Sequence, residues 1–409
     1  MTTGWERKPL REVCEFQRGL TYAKRDEVEV SENVVLRATN VDLKSSSLDL
    51  TELRYISDTI NVPASKRTKK DSLLICTASG SKSHVGKVAL VDKDYGYAFG
   101  GFMGQLTAMS GLLPKFMFYL LTSAEYKDFI AGLADGTNIN NLKWSQLQEF
   151  EVCLPPLEEQ KRIVAILDAA FAGLDAAQAN TEQVATDGED LFQEGLERVL
   201  SSSKHEWAES QLGSVTTKIG SGATPRGGEK AYKTSGTSLI RSLNVHDRGF
   251  QQKRLAFIDA SQASMLSNVE VHEGDVLLNI TGASVARCCI VDENILPARV
   301  NQHVSIIRPI SDALDPEFLH YLLTSRTCKS RLLGIGEGAG STRQAITKAQ
   351  IQGFTIRYPA SLRDQRRIVQ EINALRSHTQ QLGRIVDRKL ASITNLRQSL
   401  LHQAFSGQL

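Results

Sequence analysis

The pentapeptide Tyr119-Leu120-Leu121-Thr122-Ser123 recurs letter for letter as Tyr321-Leu322-Leu323-Thr324-Ser325, 202 residues further along a chain of 409. The match continues around it at nearly the same interval. Trp5 pairs with Trp207 at 202, Arg37 and Asn40 with Arg241 and Asn244 at 204, and Asp71 with Asp275 at 204. Gln160-Lys161-Arg162-Ile163-Val164 pairs with Gln365-Arg366-Arg367-Ile368-Val369 at 205. A drift of three residues is what a few loop insertions leave between two copies of one unit. A chain written twice folds twice, so two similar surfaces and a bipartite target are expected.

Length agrees: at about 100–200 residues per domain, 409 residues correspond to two to four domains. A hydrophobic share of 41% supports full cores. The N-terminus, Met-Thr-Thr-Gly-Trp-Glu-Arg-Lys, has no apolar core segment, so no signal peptide is expected. No apolar run approaches the roughly 20 residues that span a bilayer, so no membrane partner is expected. The cysteines, Cys14, Cys76, Cys153, Cys288, Cys289 and Cys328, include no CxxC pair and suggest no disulfide framework. They read as thiols of a reducing compartment, the cytoplasm.

Charge divides the chain into four segments. Residues 1–156 are net zero, 157–206 net −7, 207–360 net +4 and 361–409 net +5. The two unbalanced segments hold equivalent places at the ends of the copies, and both read as helix. Pro155-Pro156-Leu157-Glu158-Glu159 places proline at the helix start and carboxylates in the first turn, where the dipole favours them. Ser361-Leu362-Arg363-Asp364 has the form of a capping box. A 3-4 spacing then runs through Ile372, Leu375, Thr379, Leu382, Val386, Lys389, Ile393, Leu396 and Leu400. The first segment keeps it through Val164, Leu167, Phe171, Leu174, Gln178, Thr181, Ala185, Gly188, Phe192, Gly195 and Val199. Gly188 and Gly195 weaken the helix, or else let a partner helix come close. Each segment spans about 60 Å at 1.5 Å per residue. Opposite charge and equal length favour packing of the two on each other over two independent amphipathic helices.

The segments before the helices hold short β-rich runs: 33–37, 72–76 and 87–91, then 237–241, 275–279 and 304–307. Such runs at short intervals predict mixed, strand-rich α/β domains. A helix over 115–130, matched by one over 316–332, carries the repeated pentapeptide, whose Tyr and Leu predict an apolar core face.

Enzymatic signatures fail on inspection. Gly80–Lys87 resembles a P-loop, but five residues separate the glycines instead of four and Val88 stands where Mg²⁺ needs Ser or Thr. The glycine-rich 334–340 stretch follows a helix, which removes the dinucleotide context. Leu154-Pro155-Pro156-Leu157 lacks the polar and aromatic flanks of the adenine-methyltransferase tetrapeptide. No HExxH or GxSxG occurs, and no histidine has metal-ligand spacing.

Polar loops between strands suit nucleic acid better. Ser79, Ser81, Lys82, His84 and Lys87 can offer amides and ammonium groups to phosphates and hydroxyls to base edges. Asn279, Thr281, Ser284 and Arg287 occupy the equivalent loop. A second matched pair carries Asn138 and Asn140 in one copy and Arg343 and Gln344 in the other; Asn and Gln suit adenine and Arg suits guanine. Arg18, Tyr22, Arg37 and Asn40, with Lys218, Arg226, Arg241 and Asn244, complete the candidate DNA contacts. No catalytic and no metal site is expected.

A strand-rich domain, then Leu-Pro-Pro-Leu-Glu-Glu-Gln-Lys-Arg-Ile-Val opening a long helix, then the whole again, resembles the specificity subunit of type I restriction–modification enzymes. The end, Asn395 to Leu409, looks like that family's distal conserved region, and Pro359-Ala360-Ser361-Leu362-Arg363-Asp364-Gln365 departs from the motif. The resemblance implies target recognition domains over 1–156 and 207–360 and conserved helical regions over 157–206 and 361–409. The two helices would pack as an antiparallel coiled-coil spacer. It implies a non-catalytic chain that reads a bipartite, asymmetric double-stranded DNA site. Two modification subunits would carry S-adenosylmethionine and methylate adenine, and restriction subunits would use ATP and Mg; this chain would bind no cofactor. A tandem DNA-binding or scaffold protein without such partners is the alternative, and a stand-alone enzyme a third.

Overall fold

The computed structural model describes residues 4–43, 45–134, 141–203, 206–225, 227–337 and 345–409. The chain divides into two compact units, Met1–Thr181 with Asp387–Leu409, and Glu182–Val386. Each unit therefore takes part of both long helices.

The first unit is built on two four-stranded sheets. One orders Cys14–Arg18, Met103–Ala108, Ser72–Cys76 and Val88–Leu90, all antiparallel. The other orders Glu27–Val28, Arg54–Ile56, Asn33–Leu36 and Ala98–Phe99, the last pair parallel. Glu6–Pro9 and Glu151–Leu154 pair antiparallel and close the domain. Strand Ser72–Cys76 is buried at every residue, as a run of Leu, Ile and Cys bounded by turns predicts.

The second unit repeats the plan. Thr216–Ser221, Val304–Pro309, Val276–Asn279 and Cys288–Ile290 form the matching antiparallel sheet. Ala256–Ile258, Thr237–Ile240 and Ala298–Val300 match three strands of the other sheet, again with one parallel pair. The fourth strand differs: Glu27–Val28 adds beside Arg54–Ile56, whereas Glu270–Val271 adds at the opposite edge, beside Ala298–Val300. The duplicated mixed α/β architecture is as expected.

The register of the repeat is less regular than identical letters suggest. Leu36 and Ile240 hold equivalent ladder positions, 204 apart, and Leu73 and Val276 do so 203 apart. The interval then falls to 200 at Val88 and Cys288 before rising again to 205 at the glutamines. Asp71 is thus equivalent to Gly274, both in the left-handed region (φ 62° and 75°). Asp275 answers to Ser72, since Val91 and Val291 donate to their carbonyls alike. The apparent Asp71–Asp275 match is one residue out. Asp275 is buried, takes a bidentate ion pair from Arg308 (2.7 and 2.8 Å) and accepts from the His272 amide.

Each helix expected as one piece is two. Pro114–Leu120 breaks before Ala124–Ala134, and Pro316–Thr324 before Arg326–Glu337. The breaks fall within the repeated pentapeptide, over residues 121–123 in the first copy and at Ser325 in the second. Ser123 Oγ donates back to the Leu120 carbonyl (2.7 Å) and accepts from Tyr126 N–H (3.3 Å); Ser325 does the same with Leu322 (2.8 Å) and Cys328 (3.3 Å). Each serine ends one helix and caps the next. Tyr119 and Tyr321 are buried as predicted, and their hydroxyls reach Asp168 and Asn373, both at 2.5 Å, on the long helix that follows each copy.

Those helices are Leu157–Leu200 and Leu362–Ser406, here the central and distal helices. Gln160, fully buried, accepts from Leu113 N–H (2.9 Å) and donates to the Gly111 (2.8 Å) and Pro155 (2.9 Å) carbonyls. Gln365 accepts from Asp315 N–H (2.7 Å) and donates to Ala313 and Pro359 (both 2.9 Å). Pro155 lies five residues before its glutamine and Pro359 six. The departure in the second motif is a one-residue insertion that the same lock absorbs.

Within the second unit Gly188 faces Leu382 and Gly195 faces Leu375; a Cβ on either glycine would lie 2.9 or 3.0 Å from the leucine methyl. One number rises as the other falls, so the helices run antiparallel, and the glycines serve close approach. Within the first unit Arg397 pairs with Asp175 and lies over the Phe171 ring at 4.7 Å. The seam departs from expectation at Leu396, which is 49% exposed, while Leu401 and Ala404 are buried against the first domain. The acidic charge of the central helix also serves the second domain: Glu189 pairs with Arg248, Asp190 with Arg326, and Glu197 accepts from Thr327. By length and composition alone the central helix is apolar enough to cross a membrane, a test that a packed core helix also passes. That helix carries Asp168 and Asp175, each held in an ion pair.

Candidate nucleic-acid interface

The polar loops lie where strands of the antiparallel sheets end. In the first unit the chain leaves strand Ser72–Cys76 and folds a short turn at Lys82–His84 before strand Val88–Leu90. Ser79 Oγ accepts from the Ser81 amide (3.2 Å), and the Ser81 and Ser83 hydroxyls share a bond of 2.9 Å. The Gly86 amide closes the loop onto the Cys76 carbonyl (2.8 Å), with φ at +82° and Ile130 where a side chain would sit. His84 is half-buried in this turn. In the second unit the Asn279–Ala286 bond (2.8 Å) closes the equivalent loop, which is three residues shorter.

Arg18 is exposed at the end of its strand and lines a depression of about 680 Å³ with Thr77, Asn141, Lys143 and Trp144. The Trp144 ring stands edge-on to Phe16 (centroids 5.4 Å, 87°) and over Gly104, where a Cβ would meet it at 2.2 Å. In the second unit a depression of about 400 Å³ is lined by Ser242, Thr281, Ser284, Arg287 and His303. Thr281 Oγ1 and His303 Nδ1 share a bond of 2.6 Å. Both surfaces offer hydroxyl and cationic groups, and the first adds the Asn141 amide, the chemistry that phosphates and base edges use.

Other candidates are turned inward, which corrects the sequence reading. Asn40 and Asn244 are buried; each accepts from the amide of Arg37 or Arg241 and donates to backbone carbonyls, Asp49 and Glu52 or Gln251 and Lys253. Asn279 is buried too, donating to the Ser242 carbonyl (2.9 Å) and Ser284 Oγ (3.1 Å). An amide so enclosed cannot reach a base edge. Lys87 Nζ donates to the Val41 carbonyl (2.6 Å), and burial holds its ammonium below the ordinary lysine value. Lys218 Nζ donates to Asn268 (2.6 Å). Arg241 bonds Glu229 (3.1 Å) and the Arg254 carbonyl (2.6 Å) and stacks on Tyr232. The Nε atoms of Arg37 and Arg241 are both buried without a partner. Tyr22 is half-buried, and burial, then Glu27, pushes its phenol up. Asn138, Asn140, Arg226, Arg343, Gln344 and the Lys82 side chain lie outside the described residues.

Sequence reading missed Phe102, Lys143, Trp144 and His303. It sought cations in glycine-rich loops, whereas these residues come from a tight turn and a helix start that join the cluster only through folding. Among the described residues no group of three His, Cys, Asp or Glu is placed to hold a metal ion.

Two copies of this arrangement match a known family. Residues 2–185 and 204–385 match the type I restriction modification DNA specificity domain. The chain belongs to this family. It is 25% identical to the type I restriction enzyme EcoKI specificity subunit of Escherichia coli strain K12, over 99% of this chain and 89% of that one. The StySPI specificity subunit of Salmonella potsdam is likewise 25% identical, over 99% and 89%. Among solved structures, a chain from a study of assembly and conformational transition of the type I R-M system superposes with a TM-score of 0.73 at 22% identity. The superposition covers 100% of this chain and 99% of that one. The HsdS subunit of Thermoanaerobacter tengcongensis gives 0.50 at 21%, covering 100% and 98%. A specificity subunit selects DNA and leaves catalysis to other chains, in keeping with the unmatched enzymatic motifs.

Proposed function

We propose that the chain is the DNA-reading subunit of a type I restriction–modification complex and sets the specificity of both methylation and restriction. Residues 1–156 read one half of an asymmetric interrupted site and residues 207–360 the other. Residues 157–206 and 361–409 form the spacer and dock two modification subunits. The observation that carries this reading is the pair of polar loops closed at equivalent places on one duplicated scaffold, Gly86 onto Cys76 and Ala286 onto Asn279, unlike in length and in side chains. Arg18, Ser79 and Ser81 serve the first half-site; Thr281, Ser284 and Arg287 serve the second. Asn138, Asn140, Arg226, Arg343, Gln344 and Lys82 remain proposed contacts on chemistry alone. The modification subunits hold S-adenosylmethionine, the restriction subunits ATP and Mg, and the assembly works on DNA in the cytoplasm.

The net charge of +2 is low for a chain that must neutralise phosphates. The modification subunits therefore supply much of the positive surface. The test is a methylation assay of the chain with and without a modification subunit, followed by genome-wide mapping of methylated adenine. Methylation at one bipartite site by the complex alone supports the reading; no adenine methylation by the complex sinks it. Arg287→Ala should weaken binding through the second half-site and lower the slope of log K against log salt by about one.

A further inference from the structure

Of the 14 phenylalanines, all described, Phe102 alone stands out in solvent, 72% exposed. It tips the turn between strands Ala98–Phe99 and Met103–Ala108. Its backbone is held firmly. The Phe102 carbonyl accepts from Thr77 N–H (2.9 Å), Thr77 Oγ1 (3.0 Å) and Ala78 N–H (3.2 Å). Gly100 N–H donates to Leu36 and Met103 N–H to Gly100 (2.9 and 2.8 Å), while Gly19 lies so close that a Cβ would fall 1.9 Å from the Gly100 oxygen. A phenyl ring is thus presented to water on a backbone that cannot fold it away, at a cost in exposed apolar surface that the first domain bears without using the ring for packing.

Its surroundings point to what covers it. Thr77, which clamps the turn, and neighbouring Gly101 line the depression that also holds Arg18 and Lys143, both exposed cations. Cations that can take phosphates stand beside a rigid aromatic, the combination with which proteins stack on bases or wedge into a base step. The second copy differs here. Ile280 donates to His303 as Thr77 does to Phe102, so the structural counterpart is a histidine already hydrogen-bonded to Thr281.

We infer that Phe102 is a specificity-determining contact that seats its ring against the bases of the first half-site, an apolar contact with no equivalent in the second. This rests on the DNA-reading function proposed above. The experiment uses the full chain assembled with its modification subunits and compares wild type, Phe102→Ala and Phe102→Trp on duplexes with both half-sites, or with either one scrambled, across a salt series. Phe102→Ala should lose roughly tenfold in affinity, the size of one base–aromatic contact. Its salt slope should not change, because a phenyl ring releases no counterions. The loss should vanish when the first half-site is scrambled and persist when the second is, and Phe102→Trp should restore binding. Unchanged affinity for Phe102→Ala, an equal loss whichever half-site is scrambled, or failure to assemble without DNA would each overturn the inference. The last outcome would mark the ring as a protein contact. Wild-type complex that ignores the cognate duplex would overturn the DNA-reading function itself.

Discussion

Gln160 and Gln365 offer one experiment performed twice in the same molecule. Each side chain is fully buried, accepts one amide and donates to two carbonyls, with corresponding distances within 0.2 Å. Alanine at either site strands one half-buried N–H, one half-buried carbonyl and one buried proline carbonyl. A buried donor without a partner costs about 1–3 kcal/mol, and a carbonyl with a second lone pair to satisfy costs less. The expected loss is about 3 kcal/mol at each site, and similar at both. Gln160→Glu keeps the acceptor for Leu113 but sets a second carboxylate oxygen against the Gly111 and Pro155 carbonyls. It should be worse than alanine at pH 7 and partly recover at pH 4, where the protonated carboxyl can donate to one of them. Hydrogen exchange read by mass spectrometry, alongside denaturant titration, separates the two units. Gln160→Ala should deprotect residues 111–113 and the first turns of the central helix, and Gln365→Ala residues 313–315 and the first turns of the distal helix. A loss below about 0.5 kcal/mol at both sites, or deprotection in the wrong unit, would falsify the locking role.

Three further outcomes follow from buried charge and close packing. Asp275→Ala leaves Arg308 half-enclosed without its bidentate partner and should cost about 3–5 kcal/mol in a melt, against little for the exposed Asp71→Ala. His320 is buried, its Nε2–H donating to the Asp247 carbonyl (3.1 Å), and burial, then Arg376, pulls its pKa down to about 4. The folded state prefers the neutral ring, so its contribution is whole above the unfolded value of about 6.5 and is lost as pH falls towards 4. The loss approaches about 3 kcal/mol and should flatten in His320→Gln when stability is followed against pH. Gly188→Ala should be near neutral by thermal melt, since about 1 kcal/mol of helix propensity offsets contact with a movable Leu382 methyl, whereas Gly188→Phe should lower the Tm by several degrees.

Much of this molecule is legible in its letters because the relevant signals are local. The duplication, the strand runs, the prolines and acids at the helix start and the 3-4 seam all act within a few residues, and each corresponds to an element close to its expected place. The glutamine motif is an instructive margin. Its second copy departs in sequence, yet the insertion before Gln365 leaves the buried amide bonded to the same proline carbonyl. The pentapeptide was read correctly as core, but the helix break at its serine was hidden, because hydroxyls that bond backwards are seen only once the turn exists.

The candidate site divides differently. That two unlike polar loop clusters sit on one repeated frame follows from the sequence. Which of their side chains are free to touch DNA does not. Asn40 and Asn244 have suitable chemistry and are consumed by backbone groups 3 to 12 residues away; Asn279 is buried with its amide N–H groups spent on the Ser242 carbonyl, 37 residues away, and on the Ser284 hydroxyl, while Lys87 is tied to a carbonyl 46 residues off. Phe102, an ordinary core residue by composition, is left outside. Burial and hydrogen-bond satisfaction are set by distant segments that meet only on folding, so residue type and spacing determine the scaffold, and long-range packing decides which groups remain to read a ligand.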